Sequence, residues 1–114
     1  MRIALAQINA TVGDLAGNAA RILEFAERAR AQGAALMVTP ELALCGYPPE
    51  DLLLREDFYA DCEAALQQLA AQAHAIAILV GHPHQVAGRH YNAASLLQDG
   101  RVTATYHKHA LPNH

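Results

Sequence analysis

Short apolar runs alternate along this chain with longer amphipathic segments, and that alternation restricts the fold more than any other feature. RIALAQIN opens the chain with Ile3, Leu5 and Ile8, a strand apolar enough to be covered on both faces. Asn18 suits an N-cap for a helix running to Gln32, with Ile22, Phe25, Ala26 and Ala29 on one face and Gly33 placed to end it. Ala35–Thr39 reads as a second strand that Pro40 stops, and Pro48-Pro49 then forbids regular helix. A second helix spans about Asp57 to Ala73, its buried face marked by Phe58, Cys62, Ala65, Leu66, Leu69 and Ala73. Ile76–Val80 is a third strand ending at Gly81. Tyr91–Leu97 and Val102–Tyr106 form a hairpin across Asp99-Gly100, a dipeptide suited to the left-handed turn that hairpins need. Strand and helix alternating in this way predict an α/β fold with a mainly parallel sheet. Each helix has a single apolar stripe, so the helices cover one sheet face and leave the other bare.

The composition carries the same message. Of the 114 residues, 53% are hydrophobic and only 17% charged, which leaves much to bury and little to cover it. The net charge is −3 and the basic residues are scattered, which excludes an electrostatic footprint for nucleic acid or an anionic membrane. No apolar run approaches a membrane span, and two cysteines make no disulfide framework, so a reducing cytoplasm is expected.

Two polar side chains stand where apolar strands end. Glu41 follows the second strand and Lys108 follows the last. The carboxyl ends of parallel strands are where α/β folds place their sites. A carboxylate and an ammonium brought together there can act as a base and an anion stabiliser for attack on a carbonyl. Such a pair still lacks a nucleophile. Cys45 lies four residues after Glu41, about 13 Å away if that stretch is extended, and Cys62 falls on the apolar stripe of the second helix. Both are read as structural.

The words around these residues form two blocks, TPELALCGYPPEDLLLR (Thr39 to Arg55) and YHKHALPN (Tyr106 to Asn113). Their pattern, P-E-L-x-x-x-G-Y-P-P-E-D-L-L followed by Y-x-K-x-x-L-P-N, resembles the carbon–nitrogen hydrolase (nitrilase) superfamily. The Y-P-P-E-D-L-L extension resembles the amino-terminal glutaminase domains of glutamine-dependent NAD+ synthetases. RIALAQINATVGDLAGN and VGHPHQVAGRHYNAASLLQDGRV are similar to the first strand and to the third strand and hairpin of that group.

The resemblance implies a nitrilase-type α-β-β-α sandwich, of which residues 1–114 supply the amino-terminal half to two-thirds. It implies glutamine as substrate, Glu41 as general base and Lys108 as oxyanion stabiliser, with a cysteine further along the family's sequence as nucleophile. It also implies a separate carboxyl-terminal synthetase domain that uses ATP and Mg2+, no cofactor in the glutaminase part, and a homo-oligomer. His114 stands where related chains usually have a tyrosine expected to help hold glutamine. Ending inside a motif, the chain is expected to be a fragment, inactive alone.

Two other readings compete. His82-x-His84 follows the third strand and could ligate zinc in a metal-dependent amidohydrolase. The related pair His107-x-His109 is expected to point to one side of its strand, with Lys108 on the other. A third possibility is an inactive homologue that serves only as an oligomer interface.

Overall fold

The computed structural model describes residues 1–47 and 50–111. Its elements are β1 (Ile3–Leu5), α1 (Leu15–Ala31), β2 (Leu36–Val38), a 3-10 turn (Glu50–Leu54), α2 (Glu56–Ala71), β3 (Ala77–Val86), β4 (Arg89–Gln98) and β5 (Arg101–Ala110). The five strands form one sheet in the order β1-β2-β3-β4-β5. The first three pair in parallel through the helical crossovers, as expected, and the last three pair antiparallel. The sheet is therefore mixed rather than mainly parallel.

The difference arises at β3, which does not stop at Gly81. It runs on to Val86 and returns as β4 through Ala87 and Gly88, both at positive φ (50° and 77°). Pro83 lies inside this strand, a position that usually argues against one. Here it is tolerated for a geometric reason. Gly81 directs its N–H to Thr39 and its C=O to the N–H of Leu44, so that side of β3 faces the end of β2. Two residues on, the N–H that proline lacks falls on the same side, past the last residue of β2. The Asp99-Gly100 turn forms as expected, with φ of 55° and 82°.

Helix α1 begins three residues before the expected cap. Asp14 is the N-cap, its carboxylate accepting the Gly17 N–H at 3.0 Å. Asn18 lies fully buried in the first turn instead. Its side chain bonds the backbone of Thr11 in both directions at 2.8 Å and donates to the Leu44 carbonyl at 3.0 Å. It thus ties the loop after β1 to the loop after β2.

Both helices pack on one face of the sheet. Ile22, Ala26, Leu66, Leu69 and Ala70 meet Met37, Ile78, Val80 and Leu97 in a continuous core. The other face carries an apolar row that crosses all five strands in register, Leu5, Val38, Leu79, Leu96 and Ala104. Among the described residues nothing covers its ends: Leu5 is 76% exposed, Ile3 beside it 54%, and Tyr106 60%. The prediction from single-striped helices holds. One layer of helix and one of sheet are present.

Candidate active site

The second strand delivers Glu41 into a tight turn whose backbone is clamped from several sides. Thr39 donates its hydroxyl to the Leu79 carbonyl at 3.0 Å and accepts the Gly81 N–H at 3.1 Å. Leu44 N–H bonds the Gly81 carbonyl at 3.1 Å, while Asn18 holds the Leu44 carbonyl from the other side. Leu42 sits in the left-handed region at φ 53°, sparsely populated for a bulky residue, and is kept there by full burial with Phe58 and Cys62. Gly81 makes the clamp possible. A Cβ there would lie 2.6 Å from Leu42 N and 2.7 Å from Pro40 O. The turn rests directly on the backbone of β3, and Glu41 has little freedom to drift.

Its side chain is exposed and meets β4. Asn92, only 1% exposed, donates its amide N–H to Glu41 Oε1 at 2.6 Å. Across the β4–β5 ladder Asn92 pairs with His109, whereas Ala93 pairs with His107. Lys108 is the extra residue between them, a β-bulge of the kind that re-aims a side chain next to a site. Glu41, in the turn after β2, is bonded by Asn92, and Lys108 bulges from β5 beside the register position of that same Asn92. Among the described residues they form no direct ion pair within 4 Å.

The bulge also corrects the reading of the histidines. Cross-strand partners share a face of the sheet, so His107 lies with Ala93 on the helix-covered side and His109 with Asn92 on the open side. Simple alternation, which put both on one side, fails because the extra residue breaks the period of two. His82 and His84 do share a face, but His82 has no nitrogen left for a metal. Its Nδ1 bonds the Pro83 carbonyl at 3.0 Å and its Nε2 the Ser95 hydroxyl at 2.6 Å; Ser95 continues to Thr105 at 2.7 Å. Burial holds the His82 pKa below its ordinary value, which favours the neutral ring. His84 Nδ1 bonds His107 Nε2 at 2.9 Å, and His107 stacks on Tyr91. The zinc reading of His82 and His84 is set aside on this geometry. Among the described residues no group of three or more potential ligands converges on a metal position.

Neither cysteine is a nucleophile. Cys45 is fully buried in the Glu41 turn, its thiol donating to the Gly46 carbonyl at 3.3 Å, and burial pushes its pKa up to about 12. A thiol so held is a poor source of thiolate. Cys62 is fully buried on the inner face of α2, and burial likewise raises its pKa. Both are the small packed hydrophobes expected. His114, with Pro48 and Pro49, lies outside the described residues.

Asn92 was not singled out from sequence. The signal was present: an asparagine within the mostly apolar Tyr91–Leu97 run is expected to be buried or turned toward a partner, and buried amides are bonded.

Carbon–nitrogen bond hydrolysis fits the carboxylate, the amide that steadies it and the nearby lysine, and the chain matches the carbon-nitrogen hydrolase family model over residues 2–114. The protein belongs to that family. Among its relatives is the glutamine-dependent NAD(+) synthetase of Xylella fastidiosa, 50% identical over 115 residues, covering 100% of this chain and 21% of that protein. The glutamine-dependent NAD(+) synthetase of Synechocystis is 48% identical over 98% of this chain and 22% of its own length. The chain matches the amino-terminal part of these synthetases and spans about a fifth of their length. Of solved structures, the Cytophaga hutchinsonii glutamine-dependent NAD(+) synthetase superposes with a TM-score of 0.90 at 31% identity, covering 99% of this chain and 20% of that one. An amidase from Nesterenkonia superposes with a TM-score of 0.78 at 32% identity, covering 95% and 42%. The fold is thus a partial nitrilase-type domain, as the motifs implied.

Proposed function

We propose that residues 1–114 are the base-and-lysine portion of a glutaminase that supplies ammonia to an NAD+ synthetase. The observation that carries this reading is the pinned Glu41 carboxylate on Asn92, one register step from the Lys108 bulge. The relatives' names supply the substrate and the amide product. Glu41 takes the proton of a cysteine thiol contributed by residues beyond this segment. In another Nesterenkonia amidase structure it is an active-site cysteine that acrylamide modifies.

The thiolate sulfur forms a bond to the side-chain carboxamide carbon of glutamine, and the carbonyl π pair moves onto the oxygen, where the Lys108 ammonium stabilises the charge. The carbon–nitrogen bond breaks as Glu41 returns its proton to the leaving nitrogen. Ammonia departs and a thioester remains. Water, deprotonated by Glu41, then cleaves the thioester to glutamate and free thiol. A separate domain would use ATP and Mg2+ to activate the acceptor of the ammonia. Among the described residues no helix is long and apolar enough to cross a membrane, and cytoplasmic location is part of the proposal. So is self-association through the open apolar sheet face, which a monodisperse monomer in sedimentation would contradict.

The isolated 114-residue chain is expected to release no ammonia from glutamine, because both its thiols are buried and held protonated. Turnover that vanishes in Cys45→Ala would contradict this and make Cys45 the nucleophile.

A further inference from the structure

Asn92 has two ends, and only one is in use. Its amide nitrogen donates to Glu41 Oε1 at 2.6 Å. Its amide oxygen is buried and, among the described residues, has no hydrogen-bond donor. The orientation is fixed by chemistry, since an ionised carboxylate only accepts and the N–H end must face it. A buried acceptor without a donor is costly and calls for an explanation. One register position away sits Lys108, an ammonium with three donors, set out of the ladder by the bulge and without an ion-pair partner among the described residues.

We propose that Asn92 is a positioning residue that joins the two charges: its amide N–H holds Glu41, and its amide oxygen, which Lys108 does not reach in this arrangement, is the acceptor for the Lys108 ammonium once that exposed side chain folds over the bulge. The proposal rests on the reading of Glu41 and Lys108 as one site. A neutral amide between them serves the chemistry better than a direct ion pair. Contact between carboxylate and ammonium would tie up the cation needed by the oxyanion and make the carboxylate a weaker base. With the amide interposed, Glu41 Oε1 is fixed, Oε2 is left to take a proton, and two of the three ammonium hydrogens remain free. The same rigid amide sets the spacing between base and cation. Its place in the middle of β4, between Pro83 on one side and His109 on the other, makes that spacing a property of the sheet rather than of a loop.

The test uses the whole 15N-labelled chain and reads the side-chain amide of Asn92 by NMR, with no turnover measured. Glu41 and Lys108 are both exposed, so Glu41→Gln, Lys108→Met and Lys108→Arg are expected to leave the fold intact. In the unmodified chain the Asn92 amide protons should exchange about tenfold more slowly than in Glu41→Gln, as a hydrogen bond to a charged acceptor protects them. Lys108→Met should displace the Asn92 amide signal, and Lys108→Arg, which keeps a donor, should restore most of it. An Asn92 signal indifferent to Glu41→Gln, or displaced by His109→Ala and not by Lys108→Met, would overturn the proposal. A chain that shows the bridge yet belongs to no glutaminase would sink only the functional reading, and an active glutaminase without the bridge only this one.

Discussion

Replacing Glu41 by glutamine in an extended chain, in which residues 1–114 are joined to the downstream part of a relative's carbon–nitrogen hydrolase domain, is expected to lower glutamine hydrolysis about 10²–10⁴-fold. That is the usual contribution of a positioned general base. The substitution keeps the shape of the side chain and can keep an oxygen for the Asn92 amide to donate to, so the turn and its contacts with β3 survive. What disappears is the site that accepts the thiol proton and returns it to ammonia. The loss should therefore fall on kcat, with KM for glutamine little changed. A variant that retains more than about a tenth of the rate would remove Glu41 from the role of base.

The second large effect is on stability. Gly81→Ala places a methyl group 2.6 Å from Leu42 N and 2.7 Å from Pro40 O, both backbone atoms that cannot rotate away. Either β3 shifts or the Glu41 turn lifts off it, with loss of the bonds from Leu44 and Thr39. Overpacking of this kind costs about 3 kcal/mol, read as a fall in the urea midpoint at unchanged slope. Gly88 gives the comparison. It has φ +77° with open space around the missing Cβ, so Gly88→Ala should cost only the left-handed backbone penalty of about 1 kcal/mol. Equal losses at the two glycines would mean that the turn is not seated on β3 as described.

Much of this architecture was legible in the sequence because its signals are local. The stripe Phe58, Cys62, Leu66 and Leu69 gives α2, and the Asp99-Gly100 turn gives the last hairpin. The single stripe on each helix foretold the bare sheet face. What sequence concealed depends on partners. Pro83 argues against a strand until one sees that β2 has ended where its N–H would be needed. Asn18 has the composition of a cap, yet its amide serves two loops, a role set by where Leu44 comes to rest. The bulge at Lys108 leaves no mark in YHKHA, because it is a property of pairing with Asn92 and Ala93. Strict alternation therefore misplaced His109. For the candidate site, Glu41 was found from its place after a strand and the motif around it, whereas Lys108 was found from its motif, since β5 runs on through it to Ala110 instead of ending before it. The partner of Asn92, by contrast, emerges only when β4 is laid beside β3 and the Glu41 turn rests on it.

The most direct measurement of the central claim is ammonia release from glutamine by the extended chain carrying Cys45→Ala and Cys62→Ala. Turnover close to that of the unsubstituted extended chain is expected, since both thiols are buried and a cysteine beyond residue 114 is the proposed nucleophile, with Glu41 and Lys108 as its base and oxyanion partner. A folded double variant that releases no ammonia, while the unsubstituted chain does, would contradict the assignment and place the nucleophile within these 114 residues.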